Sequence, residues 1–268
     1  MNGKKIALAQ SDERLRYSAS VLQGAGAEVI FPTELAATPS CDGIVLPVPS
    51  ERFISSSPLE LGLLLSHLKK GGLIFSYGIR DPKYLSLFSS YRVIDYSSDE
   101  DFQSINTISS AEGALSVLIE NTKMTVRCAK IILTGWGKLA RSLYFMLRSL
   151  KADLVVCARS PTARAEILSL GTECADIRDI GRYIDHCDVL INTVPHPIIS
   201  SSDLPDDLSG KVFLELASAP FGYDSKEVEN RGGCSVYAPS LPSRYAPRSS
   251  GYALGRAICR IFSEHRSI

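Results

Sequence analysis

The sequence predicts an α/β protein built as two lobes. Short β-branched or apolar runs alternate with stretches of helical period, the pattern of parallel sheets covered by helices on both faces. The alternation occurs twice, once through the first hundred residues and again from Lys130 onward. A length of 268 residues corresponds to about 1.8 domains, which leaves room for two such units.

In the first series, strands are expected at 5–9, 28–31, 43–47, 73–76 and 92–95, with helices near 12–23, 58–69 and 82–88. Leu15, Ala19 and Leu22 fall on one face of the first helix. A linking helix is expected at 110–122, opened by Ser110-Ala111-Glu112 and carrying Leu115, Leu118 and Ile119 on one face. The second series gives strands at 131–134, 153–158, 189–193, 212–216 and 235–238, with a helix at 138–150. That helix carries Leu139, Leu143, Met146, Leu147 and Leu150 at sheet-packing spacing. A Pro- and Ser-dense stretch after Ala238 leads into a final helix at 252–263, which is expected to return to the first lobe. The domain boundaries read as 1–108, 109–247 and 248–268, giving two hinged lobes with a cleft between them.

Composition excludes several classes. Lys+Arg and Asp+Glu are 29 each, so the net charge is zero, and 45% hydrophobic against 22% charged residues argues against a disordered chain. No basic run exists to capture nucleic acid or an anionic membrane. The 7 cysteines are far apart with no C-x-x-C pair, which speaks for reduced, mostly buried cytosolic thiols and against a metal site. The apolar run from Ile6 to Ala9 is too short for a signal peptide, and no 18 apolar residues occur together. A cytoplasmic protein is expected.

The second lobe carries the sharpest motif. Ile131-Ile132-Leu133-Thr134-Gly135-Trp136-Gly137-Lys138-Leu139-Ala140 places G-x-G-x-x-A after a strand and at the head of a helix. Gly135 permits the tight turn, Gly137 lets a pyrophosphate approach the backbone, and Ala140 lets helix and strand pack closely. Lys138 adds a cation, and Trp136 and Leu139 belong to the same loop. The next strand ends at Arg159, 24 residues past the first glycine, followed by Ser160. An acidic residue there would bind the 2′-hydroxyl of NAD; a cation and a hydroxyl favour the 2′-phosphate of NADP, with Arg164 as an auxiliary. A solvated strand-end arginine is the alternative for Arg159. Thr193, Val194 and Pro195, after the strand that ends at Asn192, and Ala217, after the next, are expected beside the ribose and nicotinamide. The lobe is therefore read as an NAD(P)-binding Rossmann lobe, behind a flavodoxin- or Rossmann-like first lobe. His196 is an acid–base candidate or a turn-shaping loop residue, and Glu215 is unusual inside an apolar strand.

Several phrases together resemble the A-chain family of dipicolinate synthase: Asn192-Thr193-Val194-Pro195, Leu214-x-Leu-Ala217-Ser218-x-Pro220-x-Gly222, and Ala238-Pro239-x-Leu241-Pro242 continuing to Ala246-Pro247-Arg248-x-x-Gly251. Asp12-x-Arg14, Leu46-Pro47-Val48, Phe75-Ser76 and Glu112-Gly113 match in the first lobe, so the resemblance covers nearly the whole chain. The chain departs from the family pattern at Gln10-Ser11, Ala140 and Ser243, where the family has glycines. The resemblance implies a mother-cell enzyme of a spore-forming bacterium that oxidises dihydrodipicolinate to pyridine-2,6-dicarboxylate together with a flavodoxin-like second (B-type) subunit. Loss of water from a hydroxy-tetrahydropyridine dicarboxylate gives a dihydropyridine; removal of one hydride and one proton makes the ring aromatic, so positioning and modest acid–base help suffice.

A dicarboxylate needs forked cationic donors. Arg14, beyond the first strand, and Arg248, at the start of the last helix, are the candidate anchors, each set against the alternative of an exposed surface arginine. Ser76, Ser110 and the N-terminus of the linking helix would add neutral donors. Asp12 or Glu112 would orient Arg14 or accept a proton. Two rival readings remain open. One is a two-lobe NAD(P)-dependent dehydrogenase of another small acid, although no histidine lies between Ala238 and Gly251 to form a His–carboxylate pair. The other is a nucleotide-binding subunit without chemistry of its own. A homodimer is left open by the sequence.

Overall fold

A computed structural model describes residues 1–33 and 40–264, and the last residues of the returning segment, 265–268, lie outside the described residues. The chain divides into two compact units, one formed by 1–106 with 242–268 and the other by 107–241.

The first unit runs β1 (Lys5–Leu8), α1 (Glu13–Gly24), β2 (Glu28–Ile30), β3 (Cys41–Val45), α2 (Ser50–Ser56), α3 (Pro58–Ser66), β4 (Leu68–Ser76), α4 (Pro82–Leu87) and β5 (Arg92–Asp95). Its sheet is entirely parallel in the order β2-β1-β3-β4-β5, the flavodoxin-like arrangement. Apolar strand residues such as Ile6, Leu8, Ile44, Val45, Ile74 and Phe75 are fully buried in its core. Strand β3 stops at Val45 rather than running to Pro47, because proline has no N–H to give a ladder. Strand β4 starts five residues earlier than its apolar run: Cys41 pairs with Leu68, so tertiary pairing recruits the polar 69–72 stretch. That pairing also ends α3 at Ser66, where the His67 carbonyl accepts the Cys41 N–H.

The chain continues through α5 (Glu100–Asn121), β6 (Lys130–Thr134), α6 (Lys138–Ser149), β7 (Asp153–Ala158), α7 (Pro161–Ser169), β8 (Glu173–Asp176), α8 (Gly181–Ile184), β9 (Val189–Asn192), β10 (Val212–Glu215), α9 (Ser225–Asn230), β11 (Cys234–Tyr237), α10 (Leu241–Tyr245) and α11 (Pro247–Glu264). The second sheet is parallel in the order β11-β10-β9-β6-β7-β8. Numbered within the unit this is 3-2-1-4-5-6, the doubly wound Rossmann order with its switch point between β6 and β9. Helix α6 turns Ala140, Leu143, Tyr144 and Leu147 inward, which gives it one buried stripe.

Two helices start earlier than their sequence signals. The linking helix α5 begins at Glu100, ten residues before Ser110, with the Asp99 carboxylate accepting the Phe102 N–H at 2.8 Å and acids in the first turn. Helix α11 begins at Pro247, where proline's fixed φ suits a first turn. It packs on α1 through two glycines: a Cβ on Gly255 would lie 2.7 Å from the Val21 Cβ, and one on Gly251 2.7 Å from the Tyr17 Cβ. The cysteines are free thiols; Cys41, Cys157 and Cys187 are buried, whereas Cys128 and Cys234 are exposed. Among the described residues no helix is long and apolar enough to cross a membrane.

Candidate functional site

After Thr134 the chain turns at Gly135, which has φ +85° and donates its N–H to the Cys157 carbonyl on β7 at 2.8 Å. A Cβ at Gly135 would stand 2.8 Å from Thr193 Oγ1 and 3.0 Å from Val194 Cγ2, so the turn is pressed against the segment that follows β9. Gly137 is different. It is the N-cap of α6 with φ −81°, carries no capping side chain, and has no heavy atom within 4 Å of the place its Cβ would take. Among the described residues, open space thus lies beside Gly137 at the N-terminus of α6, at the positive end of the helix dipole. A pyrophosphate fits that cradle, and the residues present suit a dinucleotide.

The rest of the loop is braced. Lys138 is exposed and Leu139 half-buried in the first turn. The Trp136 ring meets the Tyr144 ring edge-on at 5.1 Å, and the Arg141 guanidinium lies 5.6 Å from the indole. Arg141 also donates to the Trp136 carbonyl at 3.2 Å and to Glu166 at 2.8 Å.

At the end of β7, Arg159 is exposed and its side chain has no hydrogen-bond or ion-pair partner among the described residues. Ser160 caps α7, accepting the Ala163 N–H at 3.4 Å. Arg164, the expected auxiliary, is engaged at the same strand end. It donates to the carbonyls of Ala158 and Arg159 at 2.9 and 2.8 Å and pairs with Asp176 at 2.8 Å, which braces the turn that presents Arg159. Hydrogen bonds from Arg178 and then the charge of Arg164 hold the Asp176 carboxyl well below the usual carboxylate range.

Three adjacent strands end on buried polar residues: Thr134 on β6, Asn192 on β9 and Glu215 on β10. Thr134 Oγ1 donates to Asn192 Oδ1 at 2.6 Å and accepts the Thr193 N–H at 3.2 Å. Thr193 Oγ1 donates to the Thr134 carbonyl at 2.7 Å. The Asn192 amide donates to both Glu215 oxygens at 2.7 and 2.9 Å and to the Val194 carbonyl at 3.0 Å. Glu215 also accepts the N–H groups of Ala217 at 2.8 Å and Gly222 at 2.9 Å. Burial pushes its carboxyl up, opposed by these donors. Of the three, only Glu215 attracts notice in the sequence; a polar residue closing each apolar strand is the signal that finds the other two.

In the first unit Asp12 and Arg14 form a buried ion pair at 2.7 Å with side-chain exposures of 4% and 2%. Asp12 Oδ1 accepts the Arg14 backbone N–H and the Ser243 hydroxyl, both at 3.0 Å, and Oδ2 accepts the Val48 N–H at 3.2 Å. The Arg14 guanidinium further donates to the Asn106 side chain at 3.0 Å and the Val48 carbonyl at 2.8 Å. The carboxylate that fills this fork is therefore Asp12, and the geometry corrects the picture of an open substrate anchor. Ser76 is buried at the end of β4. Arg248 is exposed on the first turn of α11, its guanidinium 5.5 Å from the Tyr252 ring. Ser110 and the exposed Glu112 stand in the middle of α5, so Ser110 marks no helix N-terminus. His196 is exposed beside the exposed Pro195, its backbone N–H on the Val194 carbonyl at 2.9 Å. The structure thus brings together Gly135, Thr193 and Val194, ties Ala217 to Asn192 through Glu215, and pairs Asp12 with Arg14.

These features define a two-domain Rossmann-like α/β protein. The solved transhydrogenase from Sinorhizobium meliloti has this fold, with a TM-score of 0.70 and 15% identity over 96% of this chain and 92% of that one. A stronger likeness is to dipicolinate synthase. The A-type polypeptide of that enzyme from Bacillus halodurans superposes with a TM-score of 0.82 and 21% identity, covering 97% of this chain and 98% of that one. In sequence, the corresponding dipicolinate synthase polypeptide from Bacillus subtilis (strain 168) is 27% identical over 233 residues, 83% of this chain and 78% of the relative. No family model matches the chain.

Proposed function

We propose that this chain is the NADP-linked oxidoreductase component of a dipicolinate synthase, aromatising dihydrodipicolinate to dipicolinate with a flavodoxin-like second subunit in the cytoplasm of a sporulating mother cell. The observation that carries this reading is the uncapped N-terminus of α6 opening onto free space at Gly137. There the backbone N–H groups would take the pyrophosphate, and Lys138 would add charge. Arg159, whose side chain has no partner among the described residues, would take the 2′-phosphate in a charge-assisted contact, with Ser160 beside it. Thr193, Val194, Pro195 and Ala217 would line the ribose and nicotinamide. When bound, NADP supplies a hydride acceptor.

The remaining roles fall to the chain. Arg248 is the cationic candidate for a substrate carboxylate and Ser110 a candidate neutral donor, whereas Ser76, 1% exposed, offers the diacid no surface. Arg14 holds Asp12 and shapes the turn after β1, a positioning role. His196 is the acid–base candidate whose ring no partner holds among the described residues, so it is our proton acceptor; Glu112 is the alternative.

Trp136 is the one tryptophan and stands inside the loop, so its emission reports on the site. Titration with NADP⁺ and NAD⁺ should give tighter binding of NADP⁺. Arg159→Ala should cost NADP⁺ affinity about 10- to 100-fold, the worth of a hydrogen bond to a charged group, and leave NAD⁺ unchanged. An unchanged ratio removes Arg159 from the site. Dihydrodipicolinate precursor given to the purified chain with and without the flavin partner tests the reaction; binding without turnover under either condition favours a non-catalytic nucleotide-binding role.

A further inference from the structure

We infer that Glu215 is a positioning residue that holds the 217–222 loop in register with the phosphate turn and so aligns the nicotinamide half of the dinucleotide. The inference rests on the dinucleotide reading above. Sheet order supplies the direction. The α6 cradle follows β6, and Arg159 follows β7 on one side of it, which assigns that side to the adenosine half. The other half must then run over β9 and β10, whose ends carry Asn192 and Glu215.

One carboxylate there fixes two separated points of one loop. Glu215 Oε1 takes the Ala217 N–H at its start and Oε2 takes the Gly222 N–H at its end. The Asn192 amide bridges both oxygens and joins them to Val194, whose side chain would touch a Cβ on Gly135. Asn192 Oδ1 also accepts the Thr134 hydroxyl at 2.6 Å, so a continuous set of hydrogen bonds runs from the 217–222 loop to Thr134, the residue that enters the Gly135 turn. Every partner that reaches Glu215 here is an N–H donor, so the site is built for an acceptor on both oxygens. A glutamine in its place presents its own N–H₂ to one of those donors, and that end of the loop is released.

The experiment compares a half-ligand with the whole. Calorimetry and Trp136 emission measure binding of adenosine 2′,5′-bisphosphate and of NADP⁺ to the full chain and to Glu215→Gln. The half-ligand should bind the variant within about twofold of the parent, whereas NADP⁺ should weaken by about tenfold, the loss of one strong hydrogen bond. Gly222→Ala perturbs the same loop from its other end, since a Cβ there would press into the Asn192 side chain, and should give the same pattern. It carries the test if Glu215→Gln does not fold. Equal loss of both ligands, or loss of neither, overturns the positioning role. A parent chain that binds neither ligand overturns the dinucleotide reading instead, so the two failures are distinguishable.

Discussion

Two glycines two residues apart obey different constraints. Gly135 has φ +85° and two side-chain atoms where a Cβ would go; Gly137 has an ordinary extended φ and nothing there. Gly135→Ala should therefore destabilise the protein, by about 1–2 kcal/mol from the left-handed backbone alone. Gly137→Ala should leave the Tm unchanged and abolish dinucleotide binding, because its methyl occupies the space reserved for phosphate. Thermal melts and Trp136 titrations of both variants check this; a Gly137→Ala protein that binds normally removes the cradle. At this scale the sequence was informative where a residue's role is local. The spacing of Gly135, Gly137 and Ala140 is enough to place a turn and a helix start. It was silent where the role depends on a distant neighbour: nothing near Arg14 in the chain reveals that Asn106 and Ser243 share its ion pair with Asp12.

Elements differ in the same way. Helix α6 announces itself by its stripe, but β8 does not, being four residues of edge strand with one buried residue, Ala175. It is nevertheless tied to the site. Its last residue, Asp176, holds Arg164 and Arg178, and Arg164 braces the carbonyl of Arg159. Asp176 is ionised in the fold at a pH where it would be protonated in the unfolded chain. Its contribution is thus present above the ordinary carboxylate range and disappears as the pH falls through and below it. Melting curves between pH 2 and 6 should show Asp176→Asn less stable than the parent at the upper end, with the two converging at the lower. Parallel curves would mean that the pairing contributes nothing. Helix α5 teaches the converse: Ser110-Ala111-Glu112 looks like a start, yet the acids at 99–101 are the stronger one, and nothing between them breaks the helix.

The two sheet orders were legible as a class, because alternating strands and helices admit few topologies. The interruption of one unit by the other was visible only as a helix expected to return. Helix α11 buries Leu254, Ile258 and Phe262 in the first unit's core. Three such side chains are worth about 5–9 kcal/mol, comparable with the whole stability of a domain. A chain ending at residue 246 should therefore lose the first unit's cooperative melt while its Trp136 emission still responds to NADP⁺; loss of both would show that neither unit stands alone.

The discontinuity bears on biosynthesis. At ribosomal speeds of roughly 5–20 residues per second, the stretch 107–241 takes about 7–27 s to make. Throughout that interval the first hundred residues wait without α11, the Tyr17–Val21 side of α1 that receives its glycines still uncovered, while the inserted unit can already close. The first unit thus matures after the unit inserted into it, its core incomplete until α11 has been made.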